Sequence, residues 1–438
     1  MMTSSLLSRY ADRLPAIDPY EWRGHVERVT GLILEARGPR IPLGELCRVE
    51  TSVGSMLAEV VGFRDQFTLL MALQETAGLG PGDIVTAVGH PLRIGVGVGL
   101  LGRILNGLGE PLDGLEPIVP EEYRGIVASA PDPLRRARIT EPLSVGVRAI
   151  DGLLTIGQGQ RIGIFAGSGI GKSMLLGMMA RYTDADVTVI GLIGERGREV
   201  REFIENDLGE EGRRRSVVVA VPSDQWPLLR VRGAMVATTI AEYFRDLGQR
   251  VLLLVDSITR YCHALREIGL SLQEPPATKG YPPSVFAALP KLLERAGTTE
   301  NGSITAFYTV LVEGDDMLEP VADSSRSILD GHIVLSRRLA AMGHYPSIDI
   351  LDSISRTMVN IADEEHLAAA AQVREWLAAY RDAEDLIHIG AYAKGSNPKV
   401  DIALQKLPDI ENFLRQSLEK GATGEQARQN LMNLTAGS

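Results

Sequence analysis

A glycine-rich run of eight residues has the composition of a loop that binds phosphate. It consists of Ala166, Gly167, Ser168, Gly169, Ile170, Gly171, Lys172 and Ser173. Glycines let a backbone turn sharply and bring its N–H groups close to an anion. In this pattern the Lys172 ammonium reaches the β- and γ-phosphates of a nucleotide and the Ser173 hydroxyl binds Mg²⁺, while Ala166 replaces the usual first glycine. The run therefore predicts nucleotide binding.

The residues on either side supply the elements that such a loop needs. Arg161–Phe165 is a short apolar run with β-branched residues, which predicts a buried strand. Met174–Arg181 contains no proline and predicts a helix, whose N-terminus favours a bound phosphate. The order strand, loop, helix favours a phosphate site over a chance glycine-rich turn.

Two further apolar runs end in charged residues. Arg250–Asp256 predicts a strand whose terminal carboxylate, Asp256, would hold Mg²⁺ beside the phosphate loop. Val189–Arg196 predicts a strand that ends in Glu195 and Arg196, and a carboxylate at that position can polarise an attacking water. Composition alone favours a solvated Glu–Arg pair over that role.

Composition limits the possible function classes. The 438 residues, 45% of them apolar, are enough for two or three domains. A net charge of −11 argues against a protein that holds nucleic acid, because neutralising phosphates requires a basic face. Two cysteines fit neither a disulfide framework nor a metal site, which indicates a reducing cytoplasm. The sequence shows neither a signal-peptide pattern nor an apolar run of transmembrane length, so we expect any membrane contact to be peripheral.

The first part of the chain predicts an appendage and a small β domain. In segment 1–19, Leu7, Tyr10 and Leu14 fall on one helical face, which is compatible with a frayed end or with a helix for a partner or membrane surface. Residues 20–94 contain short β-rich runs such as Val26–Leu34, separated by Gly/Pro turns. This alternation predicts a small β-barrel domain.

The rest of the chain predicts a nucleotide domain and a helical domain. Residues 95–363 contain apolar runs without polar alternation, separated by helical stretches, as in an α/β fold with a doubly wound, mostly parallel sheet. Such a sheet binds ligands at the carboxyl ends of its strands. Residues 364–438 have helical periodicity and predict a small C-terminal helical domain.

Four sequence motifs, which occur in a fixed order, indicate a resemblance to a known family. They are the loop Ala166–Ser173, the segment Ile193–Glu199, the strand that ends at Asp256, and the segment Pro346–Ser355. With these motifs the chain resembles the catalytic subunits of rotary ATP synthases and their relatives, which implies a RecA-like core.

Longer motifs narrow the resemblance. Gly280–Gly297 and Leu329–Arg337 resemble the type III protein-export ATPases, and Val312–Met317 and Ile387–Ser396 resemble the flagellar branch of that family. The resemblance covers nearly the whole chain and leaves only residues 1–19 unconstrained.

The resemblance also implies roles for individual residues. Glu195 stands where the family keeps the carboxylate that activates water, and Arg196 would approach the γ-phosphate. Arg356 stands where a neighbouring subunit's arginine finger is found, and Tyr345 where an aromatic ring packs on the adenine. From their residue types alone, Arg356 and Tyr345 do not differ from the other arginines and tyrosines of the chain.

Taken together, the residues and the resemblance imply an Mg-dependent ATPase that powers or gates the export of flagellar proteins. The family implies a hexameric ring with shared sites, located in the cytoplasm at the inner face of the inner membrane. Its implied partners are regulatory and stalk proteins of the export apparatus, export cargo and chaperones.

Other functions remain open at this point. The nearest is the ATPase of an injection-type type III secretion system, which uses the same chemistry on other cargo. A rotary synthase subunit is disfavoured by the C-terminal tail, and an RNA translocase by the acidic balance and the absence of an aromatic and basic stripe in residues 20–94. A structural ring subunit without hydrolysis is disfavoured by Glu195.

Overall fold

The computed structural model describes residues 21–75, 77–312, 314 and 316–436. The predicted amphipathic segment at 1–19 lies outside these residues. The chain divides into two compact units: one ends at Arg93 and includes Ser271–Gln273, and the other consists of Ile94–Leu270 and the residues from Glu274 onward.

The first unit is a closed six-stranded barrel with the strand order β1-β2-β5-β4-β3-β6. Its strands are β1 (Arg23–Thr30), β2 (Ile33–Arg37), β3 (Glu45–Thr51), β4 (Gly54–Arg64), β5 (Phe67–Ala72) and β6 (Ile84–Pro91). Apolar side chains such as Val26, Leu34, Val49 and Leu70 fill its interior. The prediction of a small barrel is confirmed, and closure removes the unpaired strand edges.

One detail of the strand prediction was wrong. The run Val26–Leu34 is divided between β1 and β2, which pair antiparallel. Gly31 lies between them with a φ of +60°, a left-handed conformation that suits glycine in a tight turn. The β-rich composition continues through this turn, so the run alone gives no sign of the reversal.

The second unit is built on a nine-stranded sheet with the order β19-β18-β12-β17-β15-β13-β14-β8, in which β16 pairs with β17. Its strands are β8 (Ile104–Leu105), β12 (Arg161–Ala166), β13 (Val187–Ile193), β14 (Ser216–Val221), β15 (Arg250–Asp256), β16 (Gly297–Thr298), β17 (Ser303–Leu311), β18 (Gly331–Leu335) and β19 (Ile348–Ser355). All neighbouring strands along this order are parallel except β18 and β19. The predicted mostly parallel α/β core is confirmed.

Two short strand pairs lie outside this sheet: β7 (Arg93–Val96) with β9 (Glu122–Gly125), and β10 (Pro142–Leu143) with β11 (Ile156–Gly157). The α-helices are α1 (Arg148–Leu153), α2 (Lys172–Tyr182), α3 (Gly197–Glu202), α4 (Gly209–Arg214), α5 (Pro227–Asp246), α6 (Ile258–Ser271), α7 (Pro283–Leu293), α8 (Pro320–Ile328), α9 (Arg337–Ala341), α10 (Met358–Ile361), α11 (Glu364–His388), α12 (Pro398–Leu414) and α13 (Gly424–Thr435). Within the described ranges, no helix is long and apolar enough to cross a membrane.

The central strands of the sheet are buried on both faces, which explains their unbroken apolar character. All seven residues of β13 and all six of β14 are buried. A parallel sheet needs helices on both faces, so its strands lack polar alternation. Because the strands are parallel, β12, β13 and β15 all end at the same edge of the sheet, and their terminal residues lie together there.

The last three helices form the predicted helical region. Asp363 caps α11 by accepting a hydrogen bond from the N–H of His366, and Thr423 and Gln426 form a capping box at the start of α13. Val373 and Trp376 of α11 are buried in the same core as Phe413 of α12. This apolar contact explains the helical periodicity of the tail.

Candidate active site at the ends of the parallel strands

The phosphate loop joins the end of β12 to the start of α2, as predicted. Gly169 and Gly171 have φ values of +75° and +90°, in the left-handed region where a side chain is strained. A Cβ atom at Gly171 would also lie 3.1 Å from the Tyr345 ring. The conformation of the loop therefore requires glycine at Gly171 for two independent reasons.

Lys172 lies between two carboxylates. Its Nζ atom is 2.5 Å from Oδ1 of Asp256 and 3.5 Å from Oε1 of Glu195. The three side chains are 12%, 5% and 12% exposed, respectively, so solvent screens these charges weakly. The structure thus brings together three of the predicted site residues, which come from the ends of three different strands.

Asp256 is held from a second side. Thr309, on the neighbouring strand β17, donates its hydroxyl hydrogen to Oδ1 of Asp256 at 2.6 Å. The register places Leu192 of β13 opposite Asp256, one residue before that strand ends. The strand pairing therefore fixes where the Asp256 carboxylate lies relative to the phosphate loop and to Glu195.

Burial and charge change the protonation of this cluster. Burial and the Asp256 charge raise the pKa of Glu195 to about 7, although the Lys172 charge acts in the opposite direction. Burial tends to lower the pKa of Lys172, but the charges of Asp256 and Glu195 outweigh it and raise that pKa. Lys172 is therefore charged, and Glu195 changes protonation near neutral pH, where a general base is effective.

The oxygen donors at this edge fit Mg²⁺ only if a nucleotide completes the site. Ser173, the second residue of α2, is partly buried, and the Asp256 carboxylate lies at the end of β15. Among the described residues no group of three His, Cys, Asp or Glu side chains can hold a metal ion. Mg²⁺ in nucleotide sites takes one or two protein oxygens together with phosphates and waters, so Ser173 and Asp256 fit that pattern.

Arg196 does not join the cluster. Its side chain is 79% exposed and forms an ion pair of 3.0 Å with Glu199 on the surface of α3. Arg196 is therefore part of a solvent-exposed ion pair, whereas its neighbour Glu195 faces Lys172. Residues 195 and 196 point to different environments because β13 ends at Ile193 and the chain turns there.

Arg260 is a site residue that sequence reasoning missed. It is the third residue of α6, four residues after Asp256, and its side chain packs closely on Gly194, just before Glu195. Its charge tends to lower the pKa of Glu195, and its buried Nε finds no hydrogen-bond partner among the described residues. Its place in the first turn of the helix that follows β15 was the available signal, because that turn begins at the sheet edge where Asp256 lies.

Tyr345 lies beside the phosphate loop. Its ring approaches Gly171, and two residues later the Ser347 hydroxyl donates a hydrogen bond of 2.6 Å to the carbonyl oxygen of Ile170 in that loop. The turn before β19 is thereby attached to the loop. Tyr345 is positioned for contact with a ligand whose phosphates occupy the loop.

Arg356 lies at the opposite end of the sheet. Its N–H donates to the carbonyl oxygen of Asp330 at 3.0 Å, and Asp330 pairs with Arg161 at the start of β12. The phosphate loop follows the other end of that strand, about 17 Å away at 3.3 Å per residue. The exposed Arg356 side chain is therefore separated from the phosphate loop of its own chain by the length of β12.

Comparison with protein families matches the three parts of the chain. The ATP synthase alpha/beta family beta-barrel domain matches residues 26–89, and the nucleotide-binding domain of the same family matches residues 146–355. The T3SS EscN ATPase C-terminal domain matches residues 362–433.

Similar proteins cover almost all of the chain. It is 52% identical to the flagellum-specific ATP synthase of Bacillus subtilis (strain 168), over 99% of both chains. It is 54% identical to the flagellum-specific ATP synthase of Salmonella typhimurium (strain LT2), over 95% of this chain and 94% of the relative. It is 50% identical to the type 3 secretion system ATPase of Xanthomonas euvesicatoria, over 94% of both.

Solved structures agree with this grouping. The assembled ATPase EscN from the enteropathogenic E. coli type III secretion system is 45% identical and superposes with a TM-score of 0.89, over 94% of this chain and 100% of EscN. EscN in complex with its central stalk EscO gives a TM-score of 0.88 at the same identity and coverage. The chain therefore belongs to the ATPase family that comprises the flagellum-specific ATP synthases and the type 3 secretion system ATPases.

Proposed function

We propose that the protein hydrolyses ATP, with Mg²⁺, to power or gate the export of flagellar proteins through a type III secretion apparatus. The observation that carries this proposal is the contact of Lys172 with both Asp256 and Glu195 beside the phosphate loop. Flagellum-specific relatives at 52% and 54% identity support the flagellar assignment.

Each residue of the cluster has a separate task in this proposal. The Lys172 ammonium moves from the carboxylates to the β- and γ-phosphates and stabilises the negative charge that develops during phosphoryl transfer. Glu195, with its pKa of about 7, accepts a proton from the attacking water. Ser173 and Asp256 would hold Mg²⁺, which neutralises phosphate charge when bound. Arg260 supplies a second positive charge beside Glu195.

Binding and orientation of the nucleotide fall to the loop and to Tyr345. The N–H groups of Ala166, Gly167, Ser168, Gly169, Ile170 and Gly171 surround the phosphates. Tyr345, beside Gly171, packs on the adenine. Arg196, now paired with Glu199, would have to leave this ion pair to approach the γ-phosphate.

The position of Arg356 supports a site shared between subunits. Because β12 separates Arg356 from its own phosphate loop, its guanidinium serves the loop of the next subunit, where a planar donor meets developing charge. A head-to-tail contact of this kind closes into a ring, for which we propose six subunits from the family. EscN, which superposes over 94% of this chain, is an assembled ATPase.

The remaining partners and the location are proposed from the family resemblance and the relatives. EscN forms a complex with its central stalk EscO, so we propose a stalk protein, together with regulatory proteins, cargo and chaperones, as partners of this chain. We propose a cytoplasmic location at the inner face of the inner membrane, without nucleic acid. We further propose domain limits at 1–19, 20–94, 95–363 and 364–438.

Two assays test the function. The purified protein should hydrolyse Mg-ATP without stimulation by single-stranded RNA, because a strong stimulation would indicate a translocase. Its gene should also restore secretion of flagellar proteins in a flagellated strain whose own export ATPase is deleted. A type 3 secretion system ATPase is 50% identical, so the same gene is tested in a strain that lacks an injection-type ATPase. Rescue there alone would overturn the flagellar assignment.

A further inference from the structure

Gln160, the residue before β12, is completely buried and uses its whole side-chain amide in hydrogen bonds. Its Nε2 donates to the carbonyl oxygen of Asp330 and to the hydroxyl of Ser355, both at 3.1 Å. Its Oε1 accepts from the N–H of Gly157 at 2.9 Å and from the hydroxyl of Thr357. A buried amide with this many partners holds the backbone segments around it in one arrangement.

These partners surround Arg356. Ser355 and Thr357 are its two neighbours in the chain, and both bond to Gln160. The carbonyl oxygen of Asp330 accepts a hydrogen bond from the N–H of Arg356 as well as from Gln160. The backbone of Arg356 is thus fixed on both sides and at its own N–H, while its side chain remains exposed.

Asp330 is fixed in turn by Arg161, the first residue of β12. The Asp330 carboxylate accepts hydrogen bonds from the backbone N–H of Arg161 at 3.1 Å and from its Nε and Nη2 at 3.0 and 3.1 Å. The N–H of Asp330 donates to the carbonyl oxygen of Arg161 at 2.8 Å. Arg161 also pairs with Glu294 at 2.5 Å, so the group is attached to the start of the strand.

We propose that Gln160 and Asp330 are positioning residues for Arg356: they attach the end of β19 to the start of β12, so that the guanidinium reaches the phosphate site of the next subunit. This inference rests on the shared site proposed above. Neither residue touches the nucleotide of its own chain, because both lie at the end of β12 opposite the phosphate loop. Their loss should therefore impair the neighbouring site and spare the chain's own.

The chain contains a matched control for Asp330. At the start of β15, Asp186 binds Arg250 in the same manner, with hydrogen bonds from the backbone N–H at 2.8 Å, from Nε at 3.2 Å and from Nη2 at 2.8 Å. Asp186 and Asp330 are comparably exposed, at 41% and 29%. Arg250 is more exposed than Arg161, at 39% against 13%. Asp186→Asn therefore controls for the loss of such a contact at a strand start, and not for the burial of the arginine.

The experiment uses full-length Asp330→Asn, Gln160→Ala and Asp186→Asn. We expect Asp330→Asn and Gln160→Ala to bind a fluorescent ATP analogue like the wild type but to lose about tenfold or more in turnover, as a misplaced catalytic group does. Asp186→Asn should keep turnover within about twofold, since exposed pairs contribute little. Wild-type turnover in both Asp330→Asn and Gln160→Ala would overturn the proposal.

Mixed rings show which site is impaired. Asp330→Asn has an intact phosphate loop and a misplaced arginine, so mixing it with Lys172→Ala should restore turnover, up to about a quarter of the wild-type level in a random equal mixture. Mixing it with Arg356→Ala should restore none, because both variants lack a competent arginine. Gln160→Ala should behave in the same way.

The opposite pattern overturns the inference. If Asp330 or Gln160 only stabilised its own nucleotide site, the variant would be rescued by Arg356→Ala and not by Lys172→Ala. The mixture of Arg356→Ala with Lys172→Ala is the reference, because its failure would reject the shared site itself. A different result is that turnover recovers in the reference but not when Lys172→Ala is mixed with Asp330→Asn or Gln160→Ala. That result would reject the positioning role and leave the shared site intact. Native mass spectrometry of each mixture verifies that mixed rings have formed.

Discussion

The Nζ atom of Lys172 lies 2.5 Å from Oδ1 of Asp256, and the same Asp256 oxygen accepts a hydrogen bond from Thr309 at 2.6 Å. The charge of the phosphate-loop lysine is thus balanced by a carboxylate that Thr309 holds in place. A bound nucleotide must compete for this ammonium with Asp256. The lysine then exchanges one anionic partner for another without being left unpaired in a buried site.

Lys172→Ala should therefore abolish turnover and weaken ATP binding. The variant removes a main positive charge from the β- and γ-phosphates and leaves Asp256 and Glu195 to repel them. We expect turnover to fall by about 10²-fold or more, as for other groups that stabilise the transition state. Steady-state hydrolysis and nucleotide titration measure the two effects. Lys399→Ala, which removes an exposed ammonium paired with Glu375, is the control and should hydrolyse ATP normally.

The raised pKa of Glu195 predicts that turnover depends on pH. Its pKa is raised from 4.5 to about 7, and only the deprotonated carboxylate can accept a proton from water. The value of kcat/KM should therefore fall about tenfold per unit as the pH decreases below 7, and level off above it. Glu195→Gln should bind Mg-ATP but lose about 10²-fold in turnover, and its residual activity should lack this acid limb.

Protonation of Glu195 also affects stability, with a defined sign. Because the pKa is higher in the folded state than in the unfolded chain, the native protein binds this proton more tightly. This contribution to stability is present below pH 4.5 and is lost as the pH rises through 7. Denaturant titrations of the wild type and Glu195→Gln between pH 5 and 8 should diverge accordingly. If the free energies of unfolding of the two proteins change in parallel with pH, Glu195 does not have a raised pKa. If the acid limb of kcat/KM persists in Glu195→Gln, Glu195 is not the general base.

A second stability prediction concerns a buried ion pair. Arg295 is 2% exposed and bonds to both oxygens of Glu242, to the hydroxyl of Thr239 and to the carbonyl oxygen of Ile126. Arg295→Ala leaves Glu242 buried without its partner, which should lower the free energy of unfolding by about 3–5 kcal/mol.

Arg198→Ala is the control for this stability prediction. Its ion pair with Glu202 is exposed, so we expect a change within about 0.5 kcal/mol. Chemical denaturation of both variants gives the comparison. Equal losses in the two variants would contradict the structural role of Arg295.

The parts of the site that follow from strand order could be predicted from the sequence. Asp256 and Glu195 end or follow apolar runs, and parallel strands bring such ends together, so their proximity to Lys172 was accessible. Arg196 was not, because the direction of a side chain after a strand depends on the turn that follows. Arg260 was missed because its position depends on packing against Gly194. Arg356 lies at the edge of the sheet opposite the phosphate loop because β19, which it follows, is antiparallel to β18. Hydrophobic periodicity contains no information on strand direction, so this location could not be predicted.

Residues 1–19 lie outside the described part of the chain, so their predicted helical face remains a hypothesis. If Leu7, Tyr10 and Leu14 dock on a regulatory partner or a membrane surface, deletion of the segment should leave the melting temperature and basal turnover unchanged. Binding to that partner or to liposomes should weaken by about tenfold or more, because burying even one apolar side chain contributes about 1.5–3 kcal/mol. Unchanged binding to both would favour a frayed end.

The shared active site is the central claim, and mixing two inactive variants tests it most directly. Arg356→Ala should bind ATP nearly normally and Lys172→Ala should bind it more weakly, and neither should hydrolyse it. In a mixed ring, some interfaces combine an intact Lys172 with an intact Arg356 of the neighbour, so turnover should recover in proportion to those interfaces. Varying the mixing ratio distinguishes two explanations for a lack of recovery: inhibition of the whole ring by one inactive subunit, and the absence of a shared site. The absence of recovery at every ratio, in rings shown by native mass spectrometry to be mixed, would contradict the shared site.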